Sequence, residues 1–373
     1  MAAFAIACLL LWLIARTAAP AAAVLPAPHA VAAEPAPQLP PAPSRVMRIA
    51  YVTGTEHSPL PVVWAANGAG REPQRLGPGS EPLLAPNGHS VAATLLGGPN
   101  NEAGPALALY STVGAHTREY FNLQTSTAAA LAWSPDSRYL AVFLQSSSIS
   151  EAAQRSGLEV IDTATGAVSE IAAGEIYGAS FAPGASDRIV FARARTQLQS
   201  AAVNVYESGP TGAGLKRLTS DGHSLYPLWG PRYIAYDRQR LRGNDEAPEY
   251  QIWLHSPSGS RTRKLTHVKV AALLDGLVPL GFSADGSRLL AEFGGEDTSE
   301  AWTVRVPSGR THRITVAGQP VVGAGISGSG GTLLIDEGFF ENPPSSGRVA
   351  SIPFGGGRSK VLVGHGAQAS WNG

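Results

Sequence analysis

LAWSPDSRYLAVF, Leu131 to Phe143, decides the fold of this chain. An apolar run closing on Trp133 enters a Ser-Pro-Asp-Ser turn, and a second apolar run leaves it. Pro presets the backbone angle of a turn, and Asp or Asn bonds its own backbone two residues on. The same order recurs, with turns beginning near Ala85 (APNG), Ser134 (SPDS), Ala182 (APGA), Gly230 (GP), Ser283 (SADG) and Ser327 (SGSG). Successive turns lie 44 to 53 residues apart. A period of this size is the signature of one small supersecondary unit stacked many times.

After each apolar run comes a second repeated feature, two strand-like runs joined by a Gly-containing turn, which reads as a hairpin. Copies are PVVWAANGAGREPQRL from Pro61, LALYSTVGAHTREYF from Leu107, LEVIDTATGAVSEI from Leu158 and VNVYESGPTGAGLKRLT from Val203. Three more are IWLHSPSGSRTRKLT from Ile252, AWTVRVPSGRTHRI from Ala301 and VASIPFGGGRSKVLV from Val349. Four strands per unit without helical periodicity describe a propeller blade with strands A to D running outward from the axis. The expected fold is all-β, a β-propeller of seven four-stranded blades, with six as the alternative. RIAYV at the start, Arg48 to Val52, is a B strand without an A strand, and GAQASWNG at the end is an A strand without a B strand. Pairing of Trp371 and Asn372 beside Ile49 and Tyr51 would complete one blade and hide sheet edges. On this reading no further domain is expected on the C-terminal side.

With these motifs in view, the chain resembles the TolB-type, "WD40-like" propeller repeat from about residue 46 onward. The resemblance is carried by LAWSPDSRYLAVF, by GFSADGSRLLAEF (Gly281 to Phe293), and by the basic endings KRLT (Lys216 to Thr219) and RKLT (Arg263 to Thr266). The namesake places an α/β domain before six blades, whereas a short Pro/Ala segment precedes seven units here. Similar repeats also form the propeller half of prolyl-oligopeptidase-like serine peptidases, whose hydrolase domain carries a Gly-x-Ser-x-Gly elbow. This sequence has no such elbow.

All-β rings run long as single domains, so the repeat overrides the two domains that 373 residues would suggest. Lys and Arg together number 28, as do Asp and Glu, giving a formal net charge of zero. No overall basic field exists to draw a nucleic acid, and no nucleic-acid partner is expected. FAIACLLLWLIA, Phe4 to Ala15, has signal-peptide length, with small residues at Ala21 and Ala23 suited to cleavage before Val24. Residues 1–23 are therefore an expected export signal, or a short anchor, and residues 24–45 an Ala/Pro-rich linker that favours extended structure. Residues 46–373 are the expected propeller. Twelve apolar residues fall short of the roughly 20 that span hydrocarbon. The mature chain is thus expected outside the cytoplasm, secreted or periplasmic, without a transmembrane domain and monomeric. Cys8 is the only cysteine and lies in the signal, so no disulfide or Cys-ligated metal is expected in the domain.

Asp136 and Asp285 sit in the turns, where backbone bonding is their expected role. Trp133, Trp229 and Trp371 precede turns and are expected to pack between blades. None of the nine histidines forms a His-x-His or His-x-x-x-His pair, and no metal or cofactor is expected. Strand order places the B-to-C connections (145–157, 193–202, 237–250 and 338–347) and the D-to-A crossings on one face, here called the top. Binding residues concentrate on irregular loops held by a rigid scaffold. The crossings bring Glu81, Glu175, Tyr177, His223, Tyr226, Asp275, Gln319 and His365 toward the central opening as candidate binding residues. The leading expectation is a non-catalytic binding or scaffold module that meets a protein, peptide or cell-wall glycan there. Some seven-bladed propellers similar to these repeats are oligosaccharide lyases with histidines at the axis. That likeness implies a second expectation, a lyase or hydrolase using His223 and His365. A purely structural envelope protein is the third.

Overall fold

The computed structural model describes residues 47–54, 61–95, 104–121, 126–146, 155–194, 202–242, 246–259, 261–270, 274–295, 298–338 and 347–372. The chain divides into two units, Met1–Pro43 and Ser44–Gly373. The described residues all lie in the second. The expected export signal and linker, and the middles of the 145–157, 193–202 and 338–347 connections, fall outside them.

All elements among the described residues are strands. The first are β1 (Arg48–Thr53), β2 (Val62–Asn67), β3 (Gln74–Pro78), β4 (Ser80–Leu84), β5 (Ser90–Thr94), β6 (Leu107–Ser111) and β7 (Thr117–Tyr120). Next come β8 (Ser126–Trp133), β9 (Tyr139–Ser146), β10 (Arg155–Asp162), β11 (Val168–Ala173), β12 (Glu175–Phe181), β13 (Ile189–Ala194), β14 (Val203–Ser208) and β15 (Lys216–Arg217). The fifth and sixth repeats supply β16 (Ser224–Trp229), β17 (Ile234–Arg242), β18 (Glu246–His255), β19 (Thr262–Lys264), β20 (Leu274–Phe282), β21 (Arg288–Gly295), β22 (Thr298–Arg305) and β23 (Thr311–Arg313). Last are β24 (Thr315–Val316), β25 (Gln319–Pro320), β26 (Val322–Ile326), β27 (Thr332–Glu337), β28 (Arg348–Pro353), β29 (Lys360–Val363) and β30 (Ala367–Trp371).

Antiparallel pairing groups these strands into seven four-stranded units. Six run in chain order: β4–β7, β8–β11, β12–β15, β16–β19, β20–β23 and β26–β29. The remaining one, the first unit in chain order, is ordered β3-β2-β1-β30, so the first and last strands share a sheet, with Ile49 opposite Trp371. Asn372 reinforces that junction by accepting a hydrogen bond from the Arg48 backbone N–H at 2.8 Å. The fifth and sixth units are joined by one parallel pair, Tyr250 with Gly276. The first strands of the units, β30, β4, β8, β12, β16, β20 and β26, touch one another in succession around a ring.

The apolar B strands read as continuous runs because both of their faces are covered. In β1, Ile49 and Tyr51 join a cluster with Leu334 of the preceding unit, while Ala50 and Val52 join Val91 and Ala93 of the next. Each of the seven seams holds one such cluster. Burial fades outward, and the fourth strands TREY, KR and KVLV are exposed or half-buried. The tryptophans before the turns lie in these seams: Trp133 Nε1 donates to Leu83 O of the preceding unit at 3.0 Å, and the Arg188 guanidinium stacks 4.6 Å above the Trp229 ring.

At the turns, Asp136 accepts from the Ser134 hydroxyl at 2.6 Å and the Arg138 N–H at 3.0 Å, and Asp285 repeats the pattern with Ser283 and Ser287. Burial pushes the Asp136 carboxyl up, but these bonds outweigh it and hold the group below the usual range.

Three features depart from expectation. The described residues of the 237–250 connection, 237–242 and 246–250, are strands: β17 and β18 pair as far as Arg242 opposite Glu246. A two-stranded hairpin, β24–β25, stands between the sixth and seventh units, turning on Ala317 and Gly318, both at positive φ as a two-residue turn of this kind requires. The third bears on function. Every innermost strand carries a β-bulge where it pairs with its B strand. A bulge bends the strand and re-aims its side chains.

Candidate functional site

Bulges in the innermost strands put backbone strain at the channel mouth. Glu81, Tyr226 and Gln368 hold the same place in β4, β16 and β30, four residues before the turn begins, and have φ of 51°, 45° and 51°. Gly178 fills that place in β12 with φ 87°. Non-glycine residues pay of order 1–3 kcal/mol to sit in the left-handed region, and such residues cluster at binding sites.

Adjacent bulges are tied by polar links. Gln368 Oε1 accepts from the Glu81 N–H at 2.8 Å, and Ser370 Oγ accepts from the Leu84 N–H at 3.0 Å. Ser180 Oγ accepts from Trp229 N–H in the same way between β12 and β16. Thr94 Oγ1 donates to Ala128 O at 3.0 Å and lies 3.5 Å from Glu81 Oε2. Burial pushes the Glu81 carboxyl above the ordinary range, and the Thr94 hydroxyl offsets only part of this.

On the other flank of β30 lies Asp336, on β27 of the seventh unit and only 4% exposed. Its Oδ2 accepts the Ala369 N–H at 3.2 Å, while Oδ1 has no hydrogen-bond partner among the described residues. Burial raises its carboxyl to about 7, against the lowering effect of the Ala369 and Gln368 N–H groups. Its neighbour Glu337 pairs with Arg348 at 3.0 Å.

Of the eight residues anticipated at the opening, the structure brings two into contact. Tyr177 and Tyr226, on the adjacent innermost strands β12 and β16, meet edge to face with ring centroids 6.4 Å apart and planes at 82°. Both are half-buried against the apolar seam of their units. Glu81 occupies the corresponding place on β4. Glu175 opens β12 opposite Ala194, with Oε1 buried and lacking a hydrogen-bond partner among the described residues.

The other four stand farther out. His223 is exposed and bridges Val203 of the third strand of one unit, while its carbonyl accepts from Gln239 N–H of the next. His365 holds the same place before β30 and is exposed; the adjacent Gly366 N–H bonds Gly347 O at the start of β28. Asp275, of which only the backbone is described, lies beside Gly276, which pairs with Tyr250 on the third strand β18. Gln319 is exposed on the β24–β25 hairpin. At these crossings the chain runs beside a third strand, β14, β18 or the residue that precedes β28, before its innermost strand begins. Among the described residues no group of three His, Cys, Asp or Glu side chains gathers as a metal site would require.

Sequence reasoning missed Gln368 and Asp336. The signal for Asp336 was present: an acid directly following Leu333-Leu334-Ile335, a run apolar enough to be buried on both faces. Gln368 left none, because its role depends on a bulge.

No family model and no curated protein matches the chain. Among solved structures it is similar to TolB from Acinetobacter baumannii, at 16% identity over 88% of this chain and 68% of that one, with a TM-score of 0.51. It is also similar to the β-propeller domain of the Trilobed protease from Pyrococcus furiosus, at 11% identity over 86% and 96%, with a TM-score of 0.60. An oligogalacturonate lyase in complex with manganese matches at 11% identity over 74% and 79%, with a TM-score of 0.52. What these likenesses establish is the fold, a TolB-like β-propeller.

Proposed function

We propose that this chain is an exported, monomeric propeller that acts as a non-catalytic binding module, its top face meeting a protein, peptide or cell-wall glycan. Residues 1–23 act as the export signal and residues 24–45 as a tether to the propeller of residues 46–373. No helix among the described residues is long and apolar enough to cross a membrane. The reading is carried by the Tyr177–Tyr226 pair, two amphipathic rings on adjacent innermost strands, one of them at a strained backbone position. Tyrosine presents a large contact area with a polar tip, which suits peptide backbones and sugar rings alike. Glu81 and Glu175 add acceptors on the same side.

Purified chain and its Y177A/Y226A variant, tested for binding to peptidoglycan fragments and to envelope proteins, decide the matter. Binding reduced at least tenfold in the variant, with melting temperature little changed, supports the top face; equal binding rejects it.

A catalytic reading at the same mouth rests on one observation, the Glu81 carboxyl raised by burial, since acid/base groups are tuned that way. Cleavage of an acidic oligosaccharide that E81Q abolishes while binding persists would favour it over the binding module.

A further inference from the structure

On the face opposite the tyrosines, the seam between the sixth and seventh units breaks a rule of sheet pairing. Arg288 on β21 lies directly opposite Arg305 on β22. Arg305 in turn faces Arg310 across the tight turn of the β22–β23 hairpin, with Arg305 N–H bonded to Arg310 O at 2.9 Å. Residues directly opposite on neighbouring strands point to the same side, so three arginines stand in a row on one face of the sheet. Like charges placed this way repel. His312, opposite Thr303, extends the row by one step on the same side.

Arg288 is engaged: its guanidinium stacks 5.0 Å over the Phe354 ring and donates to Gly330 O at 2.7 Å. Arg313, in the same hairpin, is neutralised by Glu300. Arg305 and Arg310 form no ion pair among the described residues. They line a groove of about 300 Å³ with Thr303, His312, Phe354 and Gly355, and no carboxylate lines it. The opposite wall is the Phe354-Gly355-Gly356 turn of the seventh unit, with Gly356 at φ 80°. A Cβ at Gly356 would stand 3.3 Å from His312 Nε2, so glycine keeps the turn close without filling the space.

We propose that this groove binds a small multivalent oxyanion, a phosphate or carboxylate group, held by the Arg305 and Arg310 guanidiniums with His312 beside them. Guanidinium forks match both groups through paired N–H···O bonds. The volume suits a small molecule. A bound anion would relieve the repulsion along the row, which explains why three arginines are placed where one acidic neighbour would otherwise be expected.

Isothermal titration of the full chain with pyrophosphate and, separately, citrate at fixed ionic strength tests this. R305Q/R310Q is compared with the parent and with K216Q/R217Q, which removes the same charge from the exposed strand β15. Saturable binding of one anion by the parent and K216Q/R217Q, weakened at least tenfold in R305Q/R310Q, is expected, and the tighter anion identifies the oxyanion. Without anion, R305Q/R310Q should melt no lower than the parent, because a repulsion has been removed. No saturable binding of either anion, or binding that R305Q/R310Q retains, overturns the proposal.

Discussion

Replacing Asp336 by Asn should make the protein less sensitive to pH between 5 and 8 and more stable at the upper end. Asp336 is buried in the seam where β27 meets β30, and one of its oxygens has no hydrogen-bond partner among the described residues. Its folded-state pKa of about 7 lies above the ordinary 3.8, so between these values the folded state holds a proton that the unfolded state has lost. Stability slopes as the proton difference between unfolded and folded states, so it falls as pH rises through this window and levels off above 7. About 3 pKa units at ~1.4 kcal/mol each give a total of ~4 kcal/mol, of which ~3 kcal/mol falls between pH 5 and pH 8. That is a large part of the ~5–15 kcal/mol that holds most domains folded.

Asn keeps an oxygen for the Ala369 N–H and carries no charge at any pH. Urea unfolding of both proteins at pH 5, 6, 7 and 8 gives the difference directly. Glu81, raised by burial, contributes in the same direction as Asp336, and His255, lowered chiefly by burial, opposes them below pH 6.5. Both cancel when wild type is compared with D336N. The stability of D336N relative to wild type should rise by ~3 kcal/mol from pH 5 to pH 8. A difference that stays constant over that range refutes the buried-acid reading of this seam.

Further outcomes follow from other parts of the ring. Deleting Ala367 to Gly373 removes β30 and bares the edge of β1, so the melting temperature should fall sharply; a truncated chain that melts like the parent would show that the β1–β30 pairing does not hold the ring. G325A places a Cβ 2.5 Å from Trp371 Nε1 in the same seam and should destabilise by ~1–3 kcal/mol, read by urea midpoint; a neutral effect would mean that the Trp371 ring is free to move. Y177A/Y226A should lower partner binding at least tenfold while shifting the melting temperature by only a few degrees, since a few contact residues carry most binding energy. Intact-mass measurement of secreted protein should give a chain starting near Val24, and a mass that retains Met1 to Ala23 would favour an anchor.

How far the sequence could be read depended on what each feature requires of its neighbours. The strand A to B turn at Ser134–Asp136 is local: the hydroxyl, the carboxylate and the N–H it binds lie within five residues, so the motif carries its own geometry. The B-strand runs were equally plain, because burial on both faces demands apolar residues at every position of Ile49 to Val52 and Leu333 to Ile335. Period, unit count and the meeting of β1 with β30 follow from counting such local signals. The bulges did not announce themselves, because one extra residue in an innermost strand changes register without changing composition. Everything that depends on register was therefore decided by the tertiary structure. Gln368 reaches Glu81 across 287 residues, the crossings at His223 and His365 run beside a third strand or the residue that precedes one, and Arg288, Arg305 and Arg310 form a row only because three strands lie side by side. Side chains turn to opposite faces with every residue, so a shift of one position is enough to move a candidate into a site or out of it.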